Sequence, residues 1–163
     1  MEHCIKLLIM DVDGTLTDGK IYMGNEGEVW KAFSVKDGCG IYDLLPPAEI
    51  TPIIITGRHS QIVVNRCSEF GVKEIYQGIS DKIRTLDTIL DQKRLTYRNV
   101  AYIGDDLNDL SCMEAVRNAG GVTGCPADAS KEILELCEFI SRKKGGDGAV
   151  REFIEYLIRF HGK

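Results

Sequence analysis

Three short apolar segments in this sequence each end abruptly in a polar turn that contains glycine. They are residues 5–10, 52–55 and 100–103, and they are rich in isoleucine, leucine and valine. Short segments that are apolar at nearly every position are typical of strands buried on both faces of a parallel sheet. Weaker strand candidates lie at 74–76, 121–123 and 139–140.

Helical patterns separate these segments, at residues 38–45, 60–70, 81–93, 107–116 and 148–160. Alternating strands and helices predict the α/β class, here a Rossmann-like open parallel sheet with helices on both faces. In such folds ligands bind beyond the carboxyl ends of the strands. The three abrupt strand ends are therefore where we expect the chemistry.

A glycine-rich turn at 24–27, between residues 20–23 and 28–35, predicts a β-hairpin after the first strand. This hairpin is too short to be a lid, so we expect no cap domain. The length of 163 residues predicts a single domain over residues 1–163.

Several classes of protein are disfavoured by composition. No apolar run approaches the ~20 residues of a membrane helix, and residues 1–6 lack a signal-peptide pattern. We therefore expect a cytoplasmic protein with no membrane partner. The six cysteines form no Cys-x-x-Cys pair, which predicts buried or half-buried free thiols. A formal net charge of −5 argues against a nucleic-acid partner.

The first apolar segment delivers two carboxylates, Asp11 and Asp13, followed by Gly14. Alternation along a strand places both acids on one side, and glycine lets the backbone turn so that amide groups can face an anion. An Asp-x-Asp pair at a loop is more often a plain solvated turn. Two other strand ends change that balance.

The second segment ends in Thr56, Gly57 and Arg58, where a hydroxyl and an amide suit phosphate oxygens. The third ends at Asp105, which with Asp11 can complete an oxygen-rich site for Mg²⁺. Lys82, at the start of a predicted helix, can supply a further positive charge. Taken singly, Thr56 can also be a helix cap, Lys82 a solvated residue and Asp109 a first-turn acid.

These motifs together resemble the four motifs of the haloacid dehalogenase superfamily in order and spacing, over nearly the whole chain. More narrowly, Asp18-Gly19, Lys31-Ala32-Phe33, Asp37-Gly38, Gln77-Gly78, the segment 101–107 and the segment 145–152 resemble the capless phosphatases of 3-deoxy-manno-octulosonate 8-phosphate. Relatives of those phosphatases act on nine-carbon sugar-acid 9-phosphates of the sialic acid or KDN type. Others are phosphatase-like modules behind acylneuraminate cytidylyltransferases.

The resemblance implies a Mg²⁺-dependent phosphatase of lipopolysaccharide biosynthesis. Asp11 would be the nucleophile and Asp13 the general acid and base. Asp11, the Asp13 backbone carbonyl and Asp105 would hold Mg²⁺, with Asp106 and Asp109 as accessory acids. The groups that bind the transferring phosphoryl would be Thr56, the Gly57 amide and Lys82.

The resemblance also bears on substrate and assembly. Arg58 matches the octulosonate phosphatases, whereas the nine-carbon enzymes tend to carry an acid there, so the eight-carbon substrate is favoured. Capless relatives form homotetramers in which the hairpins pack together, and Arg66 matches an arginine that reaches a neighbour's substrate. Its alternative is a solvated helix residue. Relatives often close a site with a tail beyond the last helix, whereas this sequence ends at Lys163.

Two rival classes share some of these residues. Receiver domains also gather acids, a threonine and a lysine around Mg²⁺, but their acid pair follows the first strand and the phosphate acceptor a later one. The order here is the reverse, which favours hydrolysis. A catalytically silent oligomerisation module would not need Asp11, Asp13, Lys82 and Asp105, all of which are intact.

Overall fold

The computed structural model describes residues 5–161. Its strands are β1 (Leu7–Met10), β2 (Tyr22–Gly24), β3 (Gly27–Trp30), β4 (Thr51–Ile55), β5 (Glu74–Tyr76), β6 (Val100–Ile103), β7 (Val122–Cys125) and β8 (Phe139–Ile140). Its helices are α1 (Val35–Cys39), α2 (Gln61–Glu69), α3 (Lys82–Lys93), α4 (Leu107–Asn118), α5 (Lys131–Leu136) and α6 (Ala149–His161).

Six strands form one parallel sheet in the order β5-β4-β1-β6-β7-β8. After β1 the chain builds β4 and β5 on one side and then crosses to build β6 on the other. This reversal beside β1 opens a crevice at the carboxyl ends of β4, β1 and β6. Those ends carry Thr56, Asp11 and Asp105.

Both faces of the sheet are covered, because side chains of β1 alternate between two apolar clusters. Leu8 and Met10 pack in a cluster with residues of α2 and α6, and Leu7 and Ile9 pack in another with residues of α3, α4 and α5. A strand buried on both faces must be apolar at every position, which explains the aliphatic run. The predicted α/β fold with helices on both faces is confirmed.

Local differences from the predicted elements have physical reasons. The first helix starts at Val35 rather than 38, because the Ser34 hydroxyl caps its amides, and it continues as a π-helical segment, Gly40–Leu44. Helix α5 was not predicted, since its six residues are too few to show a helical period. Strand β7 begins one residue later than predicted and extends to Cys125.

The predicted hairpin is present as the antiparallel pair β2 and β3, shorter than the predicted 20–35. Between residues 5 and 161 no cap domain follows it. No helix among these residues is long and apolar enough to cross a membrane. Part of the segment used to exclude a signal peptide, residues 1–4, and the last two residues of the chain lie outside the described range.

The cysteines differ from expectation at one position. Cys67, Cys112 and Cys125 are buried and Cys137 is half-buried, as predicted, and all are free thiols. Cys39 is exposed, so the prediction is wrong there, because the end of α1 turns this side chain outward toward Asp43. Cys4 lies outside the described residues.

Candidate active site

Asp11 directly follows β1, and its amide donates to the carbonyl of Ile103 at the end of β6 (3.2 Å). The carboxylate of Asp11 is buried and lies in a group with Asp105 and Asp109, with one oxygen of each within 4.8 Å of the others. Gly14 makes this close approach possible. Its φ is +89°, and a Cβ there would lie 2.0 Å from Asp105 Oδ2.

Lys82, the first residue of α3, is buried under this acidic group. Its Nζ donates to Asp11 Oδ1 (2.9 Å) and to Asp109 Oδ1 (2.8 Å). The alternative of a solvated helix lysine is therefore wrong. The ammonium remains charged. Burial is the largest single influence and lowers the pKa of Lys82, but the charges and hydrogen bonds of the two carboxylates together outweigh it and raise that pKa.

Asp109 is occupied by protein donors on both oxygens. Oδ1 accepts from Lys82 and from the buried Tyr102 hydroxyl (2.8 Å), and Oδ2 accepts from the Asp105 amide (3.2 Å). Asp109 does lie in the first turn of α4, but the helix dipole alone does not account for its position, because three donors bind its side chain. With these hydrogen bonds, Asp109 is better suited to holding Lys82 and the Asp105 backbone in place than to binding a metal.

The acidic group carries more negative charge than Lys82 can balance. Burial and the neighbouring acids raise the pKa of Asp105 to about 8, and burial together with Asp109 raises that of Asp11 to about 6. A divalent cation would supply the missing charge. Carboxylates beside a pocket with room for water and phosphate provide the oxygen-rich surroundings that Mg²⁺ prefers, so the residues fit this ion.

Thr56 and Gly57 follow β4 on the other side of β1. Thr56 is 2% exposed, and its amide and carbonyl are bonded to Tyr76 and Ile79. The alternative that Thr56 caps the next helix is wrong, because Ser60 holds the N-cap position of α2. Gly57 and Arg58 line the crevice beside it.

A second charged cluster covers Asp13; Arg58 was predicted as a site residue, but no role was predicted for Lys31 or Glu28. Lys31, whose side chain is 1% exposed, donates to Asp13 Oδ1 (2.6 Å) and pairs with Glu28 (2.9 Å). Arg58 Nη2 lies 3.5 Å from Glu28 Oε2, and Arg58 Nε lies 4.0 Å from Asp13 Oδ2. The motif around Lys31 was visible in the sequence, but only the fold brings it against Asp13.

The glycine-rich loop before α6 packs against the turn that follows β1, residues 11–17, here named the catalytic turn. Gly146 donates to the Thr15 carbonyl (3.1 Å). A Cβ at Gly145 would lie 1.9 Å from the Gly14 carbonyl oxygen, so only glycine permits this backbone packing. The sequence marked this stretch as a loop and gave no sign of its contact.

The residues meet at a pocket of about 430 Å³, a size suited to a small ligand. It is lined by Asp11, Asp13, Gly19, Thr56, Gly57, Arg58, Asp105, Asp106, Leu107 and Asn108. Asp106 also caps α4 through the Leu107 amide. Arg66 does not line this pocket and instead contacts Glu69 and the Phe70 ring on its own helix.

A carboxylate after the first strand, a buried lysine, a hydroxyl after β4 and an acid after β6 define a phosphoryl-transfer site of the haloacid dehalogenase type. A model of the haloacid dehalogenase-like hydrolase family matches residues 48–154. The 3-deoxy-D-manno-octulosonate 8-phosphate phosphatase KdsC of Escherichia coli K12 is 44% identical over 159 residues, which cover 98% of this chain and 82% of that relative.

Solved structures of phosphatases of this family have the same fold as this chain. The 3-deoxy-D-manno-octulosonate 8-phosphate phosphatase of Yersinia pestis has a TM-score of 0.88 and 42% identity, covering 95% of this chain and 81% of that one. The phosphatase of that name from Moraxella catarrhalis, in complex with magnesium ion, phosphate ion and KDO, has a TM-score of 0.88 and 38% identity, covering 97% and 87%. The chain belongs to the haloacid dehalogenase-like hydrolase family.

Proposed function

We propose that this chain is a magnesium-dependent phosphatase that hydrolyses 3-deoxy-D-manno-octulosonate 8-phosphate, as a single domain over residues 1–163. One observation carries the proposal. Asp11 lies at the centre of the acidic group, bonded to Lys82, in a chain that matches a phosphatase of this name over 98% of its length. No feature of the site favours a silent module.

Asp11 is the nucleophile of the proposed reaction. Its oxygen forms a bond to phosphorus while the bond to the sugar oxygen breaks, and the leaving oxygen takes a proton from Asp13. Asp13 then accepts a proton from water, which attacks phosphorus and releases phosphate and free Asp11. One difficult displacement thus becomes two easier ones, with one group serving as acid and then base.

Fixed charges surround the phosphoryl group in this scheme. Lys82 orients Asp11 and offers positive charge, and Thr56 with the Gly57 amide donates to phosphoryl oxygens. The Asp11 and Asp105 carboxylates and the Asp13 carbonyl would hold Mg²⁺, which when bound stabilises negative charge on the phosphoryl oxygens. Asp106 and Asp109 remain accessory acids.

The sugar-acid part of the substrate is assigned to the open side of the pocket. Arg58, whose side chain is 49% exposed, stands there with its guanidinium available to a carboxylate or hydroxyls. A cation at this position supports the eight-carbon acid over the nine-carbon alternatives, in which we expect an acidic residue.

The proposal extends to assembly and location. We place the enzyme in the cytoplasm as a homotetramer whose hairpins pack together. Met23, Val29 and Trp30 of the hairpin are more than half exposed (62%, 58% and 56%), which supports a partner surface there. Arg66 then serves the substrate site of a neighbouring subunit rather than its own.

A phosphate-release assay over a panel of sugar-acid phosphates tests the function. We expect the highest kcat/KM with 3-deoxy-D-manno-octulosonate 8-phosphate, loss of turnover in EDTA and its return with Mg²⁺. Asp11→Asn, expressed and purified in the same way, excludes a contaminating phosphatase. Preference for a nine-carbon 9-phosphate would overturn the substrate, and full activity in chelator would overturn the metal requirement.

A further inference from the structure

Lys31 is a buried cation that the proposed chemistry leaves without a task. Its side chain is 1% exposed, and its Nζ lies 2.6 Å from Asp13 Oδ1 and 2.9 Å from Glu28 Oε2. A buried ammonium is costly unless it is paired and hydrogen-bonded. The contact joins two residues that are 18 positions apart in the sequence, so it is a tertiary contact and not part of a local turn or helix.

Glu28 fixes the lysine from its other side. Glu28 Oε1 accepts from the Ser60 hydroxyl (2.8 Å), and Ser60 holds the N-cap position of α2. The acid is thus tied to the body of the domain as well as to Lys31. An ammonium held between two carboxylates in this way has one defined position, which is what a group that orients another residue requires.

Asp13 needs such orientation. It stands in the turn after β1, its side chain is 21% exposed, and Oδ1 is bonded to Lys31. Asp13 lines the pocket, and with Oδ1 anchored we assign Oδ2, which lies 4.0 Å from Arg58 Nε, to the leaving oxygen. A general acid protonates a leaving oxygen only when the two lie within hydrogen-bond reach, so loss of the anchor misplaces the proton.

We propose that Lys31 is the positioning residue of Asp13: its ammonium holds Oδ1 so that Oδ2 presents the proton to the leaving oxygen, and Glu28 keeps the lysine in place. This inference rests on the proposed function, in which Asp13 is the general acid. Lys31 touches neither substrate nor Asp11 in this scheme, and it acts through Asp13 alone.

Leaving-group dependence separates this role from a merely structural one. A sugar alkoxide needs the proton of Asp13 as it departs, whereas p-nitrophenolate, a weak base, departs without it. Because kcat/KM reports the steps up to leaving-group departure, Lys31→Met should lower it about 10- to 100-fold for the sugar-acid phosphate. For p-nitrophenyl phosphate the same variant should lower it less than about threefold.

Four further variants complete the design: Lys31→Arg, Lys36→Met, Asp13→Asn and the double variant Asp13→Asn/Lys31→Met. Lys31→Arg keeps a charged donor and should recover part of the loss. Lys36→Met removes an exposed lysine five positions further along the chain and should leave kcat/KM unchanged for both substrates. In the Asp13→Asn background, Lys31→Met should add almost nothing, since its partner no longer donates a proton. Both substrates are measured on one preparation, so a reduced folded fraction cancels from their ratio.

The outcomes distinguish the positioning role of Lys31 from the general-acid role of Asp13. If Asp13→Asn discriminates between the two substrates and Lys31→Met lowers both equally, the positioning role is wrong and the proposed function stands. If Asp13→Asn itself lowers both equally, Asp13 is not the general acid, and this inference falls with that part of the proposed function. Additive losses in the double variant would also reject the role.

Discussion

Asp11, the proposed nucleophile, meets two conditions that conflict in an ordinary protein interior: its side chain is buried, and its proposed role needs a negative charge. Burial and Asp109 raise its pKa to about 6, and the Lys82 ammonium opposes both effects. The charge on Asp11 is therefore favoured by Lys82 and not by solvent. The bound cation that the acidic group fits would lower the pKa further.

Asp11→Asn should abolish turnover while leaving the fold intact. The amide keeps the size of the carboxylate but cannot attack phosphorus, and Lys82 retains Asp109 as a partner. We expect phosphate release at least about 10³-fold below the wild type, with an unchanged circular dichroism spectrum. A variant that released phosphate at close to the wild-type rate would remove Asp11 as nucleophile.

Some site residues were predictable from the sequence and others were not, for a physical reason. Asp11, Thr56 and Asp105 end apolar strands, and parallel strands bring their carboxyl ends to one edge, so local patterns placed them together. Lys31 and Tyr102 meet the site through tertiary packing alone. A lysine within a hairpin or a tyrosine within a buried strand carries no local signal of its partner.

At the scale of secondary structure elements, one buried acid joins two helices that are distant in sequence. Asp37 of α1 accepts from the Arg151 amide (2.9 Å) at the first turn of α6. Its other oxygen, Oδ2, is buried and has no hydrogen-bond partner among residues 5–161. Asp37 thus caps a helix that its own helix packs against. The loop that precedes α6 also packs against the catalytic turn, so Asp37 caps the helix that follows this supporting loop.

The Asp37 cap predicts a pH-dependent stability. Burial raises the pKa of Asp37 from 3.8 to about 6, so the folded state binds the proton more tightly than the unfolded state. The favourable contribution is complete below about pH 4 and is lost as the pH rises through 6. Asp37→Asn keeps an acceptor but does not titrate.

Urea unfolding of both proteins between pH 4 and 7 measures this effect. The free energy of unfolding of the wild type should fall relative to Asp37→Asn by up to about 3 kcal/mol across that range. Taking the difference between the two proteins cancels the other acids that titrate there. A difference that stayed constant with pH would show that folding does not raise the pKa of Asp37.

The elements were predicted in proportion to how much of their pattern is local. Strands β1, β4 and β6 are apolar at nearly every position, and their existence was clear, as was the hairpin from its glycine-rich turn. The start of α1 depends on Ser34, whose capping contact a hydrophobic pattern does not report. Helix α5 contributes one fully buried residue, Ile133, which is too little for a period.

At the scale of the whole molecule, the pocket is open and the chain supplies no cap between residues 5 and 161. Phosphoryl transfer benefits when bulk water is excluded, so we expect another body to cover the site. The exposed apolar hairpin, with Tyr22 and Trp30 in contact (ring centroids 4.6 Å apart), is the surface we assign to that body. A second copy of the chain is the proposed partner.

A shared site predicts complementation between two defective subunits. Asp11→Asn lacks the nucleophile, and Arg66→Ala lacks the arginine proposed to reach a neighbour's substrate, so each alone should be weak. Co-expressed with two tags and purified through both, mixed oligomers should regain activity. Roughly a quarter of their sites would combine an intact Asp11 with an intact Arg66 from the neighbour, if subunits assemble at random.

The matched control pairs Arg66→Ala with the double variant Asp11→Asn/Arg66→Ala, which assembles in the same way but has no arginine to offer. That mixture should stay at the level of Arg66→Ala alone, diluted by inactive subunits. Arg66 pairs with Glu69 and lies over the Phe70 ring. Because a surface ion pair contributes little, we expect Arg66 to exchange this pair for a contact with a neighbouring subunit at small cost. If verified mixed oligomers regain no activity beyond this control, or if a dilute monomer is fully active, each chain works with its own residues alone.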